Sequence, residues 1–453
     1  MKKIVIILAA AALCGCGIYK PYTRPEVRTD GLYGEGVAES DSATVAQLSW
    51  REMFTDPQLQ ELIALGLANN TDMLTAHQRV AEAEAALKSA RLAYVPSFNF
   101  APQGTLASFD LAPVSKTYNV PVAASWQIDI FGGLTNAKRR ARAAYSQTLE
   151  YRQAVHAQLV SGIANIYYTL LMLDSQLEIS TLTAAKWRQS TQTMRDMKEA
   201  GMTNEAAVAQ YEGNSYAIEA SLEDLKYQIR QVENSLCTLL GDAPHTVVRG
   251  RLADQQLPRS TAVGIPLEVL SRRPDVRAAE YALMQAYYST AEARAALYPS
   301  ISLSGAAGWT NSAGSVIVNP GKFLWSVAGQ LVQPIFNAGA GRARLKIAKA
   351  QQEEARLAFR QTLLNAGAEV NNALAQIQSA RSKAELRRLQ IASMERAVES
   401  TQLLMRYSPT TYLEVLTAEQ SLLSAQLSQI ADRFDELQGT VNLYRALGGG
   451  GFE

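Results

Sequence analysis

The sequence predicts an α+β membrane protein made from a duplicated half, each half running helix, β-hairpin and two long coiled-coil helices. Three observations predict it. Landmark residues recur in the same order in both halves, a charge-poor run with period two follows a proline in each, and a long heptad follows each run. At 453 residues the chain exceeds a typical single core, so several structural regions are expected.

The N-terminus reads as an address. Lys2 and Lys3 precede an apolar run over residues 4–13, shorter than the about 20 residues that span a bilayer, so 1–15 reads as a signal peptide. The run ends in Leu13-Cys14-Gly15-Cys16, which resembles the bacterial lipobox. Cys16 is the residue selected for lipidation, because Cys14 would set bulky Leu13 directly before the cleavage site. An ordinary signal peptide with incidental cysteines is the plainer alternative. Residues 16–56 then form a lipid-anchored N-terminal segment, and the covalent lipid on Cys16 is the one non-protein group expected. Cys237 is left as the only free thiol, which excludes a disulfide framework and a CxxC zinc pair. A net charge of +1 gives no electrostatic case for nucleic acid. No apolar run after residue 15 reaches transmembrane-helix length, so any membrane crossing must use strands.

The repeat assigns 57–241 to a first structural half and 272–448 to a second, joined by a connecting segment over 242–271 and followed by a tail over 449–453. Asn69-Asn70-Thr71-Asp72 parallels Arg272-Arg273-Pro274-Asp275. Residues 90–97 parallel 293–300, Ile130-Phe131 parallels Ile335-Phe336, and Leu240-Gly241 parallels Leu447-Gly448. Pro96 and Pro299 stop the first helix of each half. Beyond them the period is two. Tyr118, Val120, Val122, Ala124, Trp126, Ile128 and Ile130 alternate in the first half; Ile301, Leu303, Gly305, Ala307 and Trp309, then Phe323, Trp325, Val327 and Leu331, do so in the second. Strands are expected over about 97–131 and 300–336, with turn-forming stretches at 111–117 and 311–321. Between Ser97 and Phe131 the charged residues are Asp110, Lys116 and Asp129; between Ser300 and Phe336 there is Lys322, in a chain that is 19% charged. That scarcity suits tilted transmembrane strands of about 9–11 residues, with Trp126, Trp309 and Trp325 at the membrane interfaces. Two soluble hairpins packed on helices are the alternative.

Long helices are expected over 134–240 and 338–447. Leu159, Ile163, Ile166, Leu170, Leu173, Leu177, Ala184 and Trp187 form one stripe with Ser180 its polar step. Leu363, Ala366, Val370, Ala373, Ile377, Ala380, Ala384, Ile391, Met394 and Val398 form the other, interrupted by Arg387. Residues 134–200 contain no proline and predict a helix on the order of 100 Å long. Gly201 and Pro409 mark the tips. Four strands cannot close a barrel, so copies must pool them: two chains give eight strands, nearly filled by side chains, and three give twelve, with room for a lumen.

Pro21-Tyr22-Thr23-Arg24-Pro25, Trp50 with Phe54-Thr55-Asp56-Pro57, and the run from Ser125 through Trp126 and Asp129 to Gly132 resemble the outer-membrane factor (TolC-like) family, lipoprotein branch. So do Ile265-Pro266 with Arg272-Arg273-Pro274-Asp275, Gln333-Pro334-Ile335-Phe336, and Tyr412-Leu413-Glu414-Val415-Leu416. The resemblance implies a homotrimer with a shared twelve-stranded barrel and a long α-helical periplasmic tunnel. It implies lipid-anchored placement in the cell outer membrane, and partnership with a periplasmic adaptor and an inner-membrane pump. It puts the periplasmic aperture at Tyr412, Leu413, Glu414 and Thr417, with help from 201–205. The chain departs from the family where Pro409 replaces a glycine at the second tip and Thr417 stands where many members carry aspartate.

The function expected is a passive outer-membrane exit duct of a tripartite efflux pump, for small molecules such as drugs. The channel of an ATP-driven protein secretion system and a periplasmic coiled-coil lipoprotein are the alternatives. His77, His156 and His245 belong to no HExxH, and the chain carries neither a nucleophile elbow nor a phosphate-cradling glycine loop, so no enzyme is expected.

Overall fold

The computed structural model describes residues 21–25, 48–108, 110, 113–256, 273–313, 316–407 and 412–449, with side chains at 312–320 and 406–411 left aside. Cys16, the 1–15 signal peptide, Arg272, the Ile265-Pro266 motif and Pro409 lie outside the described residues. In chain order come α1 (Trp50–Met53), α2 (Pro57–Asn69), α3 (Thr71–Leu92), β1 (Ser97–Phe100), β2 (Gln103–Ala107), β3 (Ser115–Ile128), α4 (Gly133–Glu199) and α5 (Glu205–Leu240). A 3-10 turn at Leu252–Asp254 precedes α6 (Pro274–Ala295), β4 (Ser300–Ala313), β5 (Val316–Val332), α7 (Ala340–Tyr407) and α8 (Tyr412–Ala446). The duplication is legible in the lengths. α4 and α7 have 67 and 68 residues, and α5 and α8 have 36 and 35.

The chain divides into two compact units that cut across the repeat. One contains Gln78–Glu150 and Arg277–Gln361 together with residues 21–25; the other contains Tyr151–Val276 and Thr362–Glu453 with the described residues up to His77. The first unit carries the sheet, in the order β1-β3-β4-β5 with β2 also on β3, antiparallel throughout. β1 and β2 are one interrupted strand. Ser97 to Phe100 face Ser125 to Val122, and Gln103 to Ala107 face Asn119 to Ser115 in the same register. The break falls at Ala101 and Pro102, beside Pro121 of β3, so prolines on both strands lack the N–H a rung needs there.

The second turn-rich stretch is mostly strand: β4 runs on to Ala313 and β5 resumes at Val316. A hairpin needs only about two turn residues, so turn formers upstream are absorbed into the ladder. A register shift between Thr310 and Ser312 is bridged by Asn311. Its Oδ1 accepts from Tyr118 N at 2.6 Å and its Nδ2 donates to Lys116 O at 2.8 Å.

The second unit holds the main core, in which Met53, Phe54, Leu59, Ile63, Val160, Ile163, Tyr167, Leu170, Leu236, Leu240 and Val441 are fully buried. The local sequence explains the entry into it. Ser49 and Glu52 form a capping box on α1, Ser49 N donating to Glu52 Oε2 at 2.8 Å. Asp56 caps α2 through Gln58 N at 2.9 Å, Pro57 takes the first helical position, and Asp56 Oδ2 also accepts from Tyr167 Oη at 2.6 Å and Gln255 Nε2 at 2.7 Å. The Phe54-Thr55-Asp56-Pro57 motif is therefore a helix start fused to a core anchor.

The two repeats close on themselves by the same device with different residues. Asn70 Nδ2 donates to Leu239 O at 2.9 Å, near the C-terminus of α5, while its Oδ1 accepts from Met73 N at 3.0 Å. At the matching place Arg273 Nη1 donates to Ala446 O at 2.8 Å, at the C-terminus of α8, and its guanidinium pairs with Asp275 and Glu369. Helix C-termini leave carbonyls without intrahelical partners, and these side chains supply them. Gly241 closes α5 at φ 73°, where a Cβ would stand 2.8 Å from Asn69 O.

The first heptad stripe is buried or half-buried from Leu159 to Trp187, Ser180 included. The second is buried from Leu363 to Ala380; beyond it Ala384 is exposed and Ile391, Met394 and Val398 are half-buried, while Leu386 and Leu389 off the stripe are exposed. The apolar repeat of α7 thus runs on past the core that one chain supplies.

Asn70→Ala leaves a buried carbonyl and a buried N–H unpaired, an expected cost of about 1–3 kcal/mol. Arg273→Ala removes four partners at once, Asp275, Glu369 and the Ala366 and Ala446 carbonyls, and lowers the thermal midpoint further. Circular-dichroism melts of the purified variants in detergent check both the direction and the order.

Candidate functional site

Residues paired directly across an antiparallel ladder point to the same face. One face therefore carries Phe98, Phe100 and Leu106; Val120, Val122, Ala124, Trp126 and Ile128; Ile301, Leu303, Ala307 and Trp309; and Phe323, Trp325, Val327 and Leu331, with Tyr118 and the charged Lys116 at its β2–β3 end. The opposite face is mostly polar or small, with Ser97, Asn99, Gln103, Thr105, Thr117, Asn119, Ser125, Gln127, Ser302, Ser304, Thr310, Lys322, Ser326 and Gln330, and it also carries Leu324 and Val332. The apolar side chains are not packed away: Trp325 is 70% exposed, and Phe98, Phe100, Val327 and Leu331 are similarly open. A face of this kind is what lipid, rather than water, solvates.

The three tryptophans predicted at interfaces divide between two levels of that face. Trp126 lies six residues along β3 from Val120, the partner of Trp309, which is about 20 Å along a strand. Its indole Nε1 donates to Tyr94 O at 2.9 Å, at the end of α3. Trp309 and Trp325 sit on neighbouring rows toward the β4–β5 turn, where the Trp309 and Phe323 rings meet edge to face at 5.5 Å.

The predicted aperture residues and the first tip belong to the second unit. The first tip turns at Gly201, φ 72°, with Lys198 and Glu205 paired across it and Asn204 capping α5 through Ala207 N at 3.0 Å. The start of α8 docks here. Leu416 joins Met194, Ala207, Val208 and Tyr211 in a small core, with Met197 and Tyr412 packed against it. Tyr211 Oη donates to Tyr412 O at 3.5 Å, and Gln420 Nε2 donates to Asn214 Oδ1 at 2.8 Å. Of the predicted aperture residues, Tyr412 is thus half-buried in packing, while Leu413 is 50% exposed and Glu414 is exposed one step on. Thr417 is exposed too, but its hydroxyl donates back to Leu413 O at 2.8 Å.

The structure adds a residue the sequence concealed. Glu419 is surrounded by three other helices: Gln402 Nε2 of α7 donates to its Oε1 at 3.0 Å, and Trp187 and Lys186 of α4 and Tyr211 of α5 lie near it. Its Oε2 and the Trp187 Nε1 are both buried and fall short of a full hydrogen bond to each other, although the indole N–H is near enough to favour the carboxylate. Burial is the dominant influence and raises the carboxyl pKa; Gln402 and Lys186 oppose it. Burial likewise raises the Tyr211 phenol, helped by Glu419. In sequence Glu419 sits among Thr, Ala, Gln and Ser and looks like any solvated coiled-coil carboxylate. The available signal was the bulky Trp187 in the facing stripe.

This chain matches the model of the outer membrane efflux protein family over residues 62–242 and 265–449. The chain belongs to that family. It is similar to the cation efflux system protein CusC of Escherichia coli K12, 30% identical over 99% of each chain. The probable outer membrane lipoprotein SilC of Salmonella typhimurium is 29% identical over all of this chain and 99% of its own. Among solved structures, CusC superposes with a TM-score of 0.86 at 29% identity, covering 96% of this chain and all of that one. The protein is accordingly an outer-membrane efflux channel component, and the mixed fold of long helices and a small sheet is that of such channels.

For this family member the tip cluster has a pH consequence. A carboxyl whose pKa is raised on folding contributes stability that is full below the ordinary carboxylate range and is lost as pH rises through the raised value. Glu419→Gln keeps the neutral form at all pH. It is expected to raise the thermal midpoint at pH 7.5 and to flatten the gain that the parent protein shows on acidification, read by parallel melts at pH 5 and 7.5.

Proposed function

We propose that the chain works as a homotrimer in which each copy lends its sheet to one twelve-stranded barrel, forming a passive exit duct for small solutes in a tripartite efflux pump. The observation that carries this reading is a sheet with one lipid-compatible face, one polar face, and unpaired outer edges at β1/β2 and β5 within the chain. In hydrocarbon an unpaired edge leaves backbone groups with no partner, at several kcal/mol each, so the edges must meet those of other copies. The polar face, whose charged member among the paired positions is Lys322, becomes the lumen wall, and no step of catalysis is asked of it. Trp126 on one level and Trp309 and Trp325 on the other serve as the interfacial aromatics. Exposed Leu386, Leu389, Leu403 and Leu404 on α7 supply apolar surface for neighbouring copies.

The inner end of the duct is assigned to Tyr412, Leu413, Glu414 and Thr417. Each appears once per copy, so Leu413 becomes an apolar ring that resists wetting and Glu414 a ring of carboxylates that favours cations. Tyr412 and Leu416 hold α8 to the α4–α5 tip, and widening the ring requires that packing and the Gln420–Asn214 bond to give way. A periplasmic adaptor that binds the displaced arrangement better would shift the population toward it, passing solute on from an inner-membrane pump. Lipidation at Cys16 tethers the mature N-terminus to the same membrane; the relative SilC is named a lipoprotein.

Native mass measurement in detergent is expected to give three copies, and a stable conducting monomer would refute the shared barrel. In planar bilayers Leu413→Ala is expected to raise single-channel conductance clearly, and Glu414→Gln to weaken cation preference. Parent-like currents from both variants, still trimeric, would place the constriction elsewhere. Mass spectrometry of the mature N-terminus should find a diacylglyceryl thioether on Cys16; an unmodified terminus elsewhere would rule it out.

A further inference from the structure

Within the first unit, beside the sheet, residues 21–25 lie across α6 and α7 and complete a groove of about 560 Å³. The strap is held by packing and charge. Tyr22 meets the Tyr287 ring edge to face at 5.7 Å, Arg24 pairs with Glu280 at 3.5 Å, and the Arg24 guanidinium lies 5.7 Å from the centre of the Phe359 ring. Thr290 Oγ1 donates to Ala348 O at 3.1 Å, which sets α6 against α7 and brings Arg294 and Lys349 to one groove.

The groove's polar groups are unbalanced. Arg356 is neutralised by Glu353, Nε to Oε2 at 2.9 Å, but Arg294 and Lys349 make no ion pair or hydrogen bond among the described residues. The Tyr22 hydroxyl is buried with no partner, and burial and then Glu280 push its pKa up to about 12, so it keeps its proton. Arg294 is half-buried and Lys349 exposed, so water can solvate both; with the unpartnered Tyr22 O–H they give the groove an excess of positive charge and donors, which fits an acceptor that carries negative charge. Leu283, Tyr287 and Pro25 give the same groove apolar walls. Arg294 stands six residues before Ser300, where β4 begins, so this cation lies near the end of the sheet, with Lys349 further along the helices beside Thr290.

We propose that this groove binds the phosphate of an anionic phospholipid headgroup from the adjoining leaflet, with Arg294 and Lys349 holding its charge and Tyr22 donating to a phosphate oxygen. The proposal rests on the membrane reading of the sheet. A bound lipid would cement the N-terminal strap to the α6–α7 pair, coupling the segment that follows Cys16 to the base of the barrel.

The test uses the full-length protein in neutral detergent, titrated by native mass spectrometry with phosphatidylglycerol, with phosphatidylcholine and with inorganic phosphate. Phosphatidylglycerol adducts are expected on the parent in preference to phosphatidylcholine. The Arg294→Gln, Lys349→Gln double variant should lose about tenfold in apparent affinity, and Tyr22→Phe a few-fold, as loss of one hydrogen bond predicts. Equal phosphatidylglycerol retention in parent and variants overturns the proposal. Competition by millimolar inorganic phosphate alone would make it a free-anion site, and loss of the native oligomer in Tyr22→Phe would make it a contact between copies; either outcome also overturns it. Urea-resistant partitioning of the same variants into membranes reports separately on the sheet, so failure of the groove is distinguishable from failure of the membrane reading.

Discussion

A backbone N–H or C=O placed in hydrocarbon must find a partner, and this requirement organises the molecule. Among the described residues one chain makes three ladders, β1/β2 on β3, β3 on β4 and β4 on β5, and ends in two open edges. Its apolar face suits lipid, and lipid is the solvent that open edges tolerate least. The contradiction disappears when edges meet edges, so assembly is a condition of the sheet's stability. The rung lost at Ala101 and Pro102 is small beside this, since the register continues through it.

Duplication supplies the scaffold, and the two copies have diverged in how they perform a shared task. Each long return helix, α5 or α8, ends in a left-handed glycine, Gly241 or Gly448, beside the start of the next short helix. In the first copy an amide, Asn70, ties the last carbonyls down; in the second a guanidinium, Arg273, does so and recruits two carboxylates. An amide suffices for one carbonyl and one N–H. A guanidinium has five donors and can gather α8, α7 and its own helix start at a single point. The conserved task is geometric, and the chemistry is free to vary around it.

The tips show a different balance between packing and polarity. Apolar contact through Leu416, Tyr211 and Val208 sits beside two solvent-exposed polar pairs, Gln420 with Asn214 and Gln402 with Glu419. Hydrogen bonds open to water in this way contribute little net stability and mainly select a geometry.

Much of this was legible in the sequence because period and punctuation are local. Pro96 and Pro299 placed the strands, the heptad from Leu159 to Trp187 placed the buried stripe, and the alternation from Tyr118 to Ile128 placed one face of the sheet. The stretch 311–321 misled because turn-forming residues also occur within paired strands, and Asn311 does its work as a side-chain bridge at a bulge. Two things needed the tertiary structure. Glu419 looks solvated by local sequence and becomes half-buried only because Trp187, Tyr211 and Gln402 arrive from three other helices. The unpaired charge of Arg294 and Lys349 likewise appears only once α6, α7 and the Pro21–Pro25 segment share a groove. The sequence by itself determined which residues face which solvent, since that depends on spacing along one element. The fold decided which charges lack partners, since that depends on elements far apart in the chain.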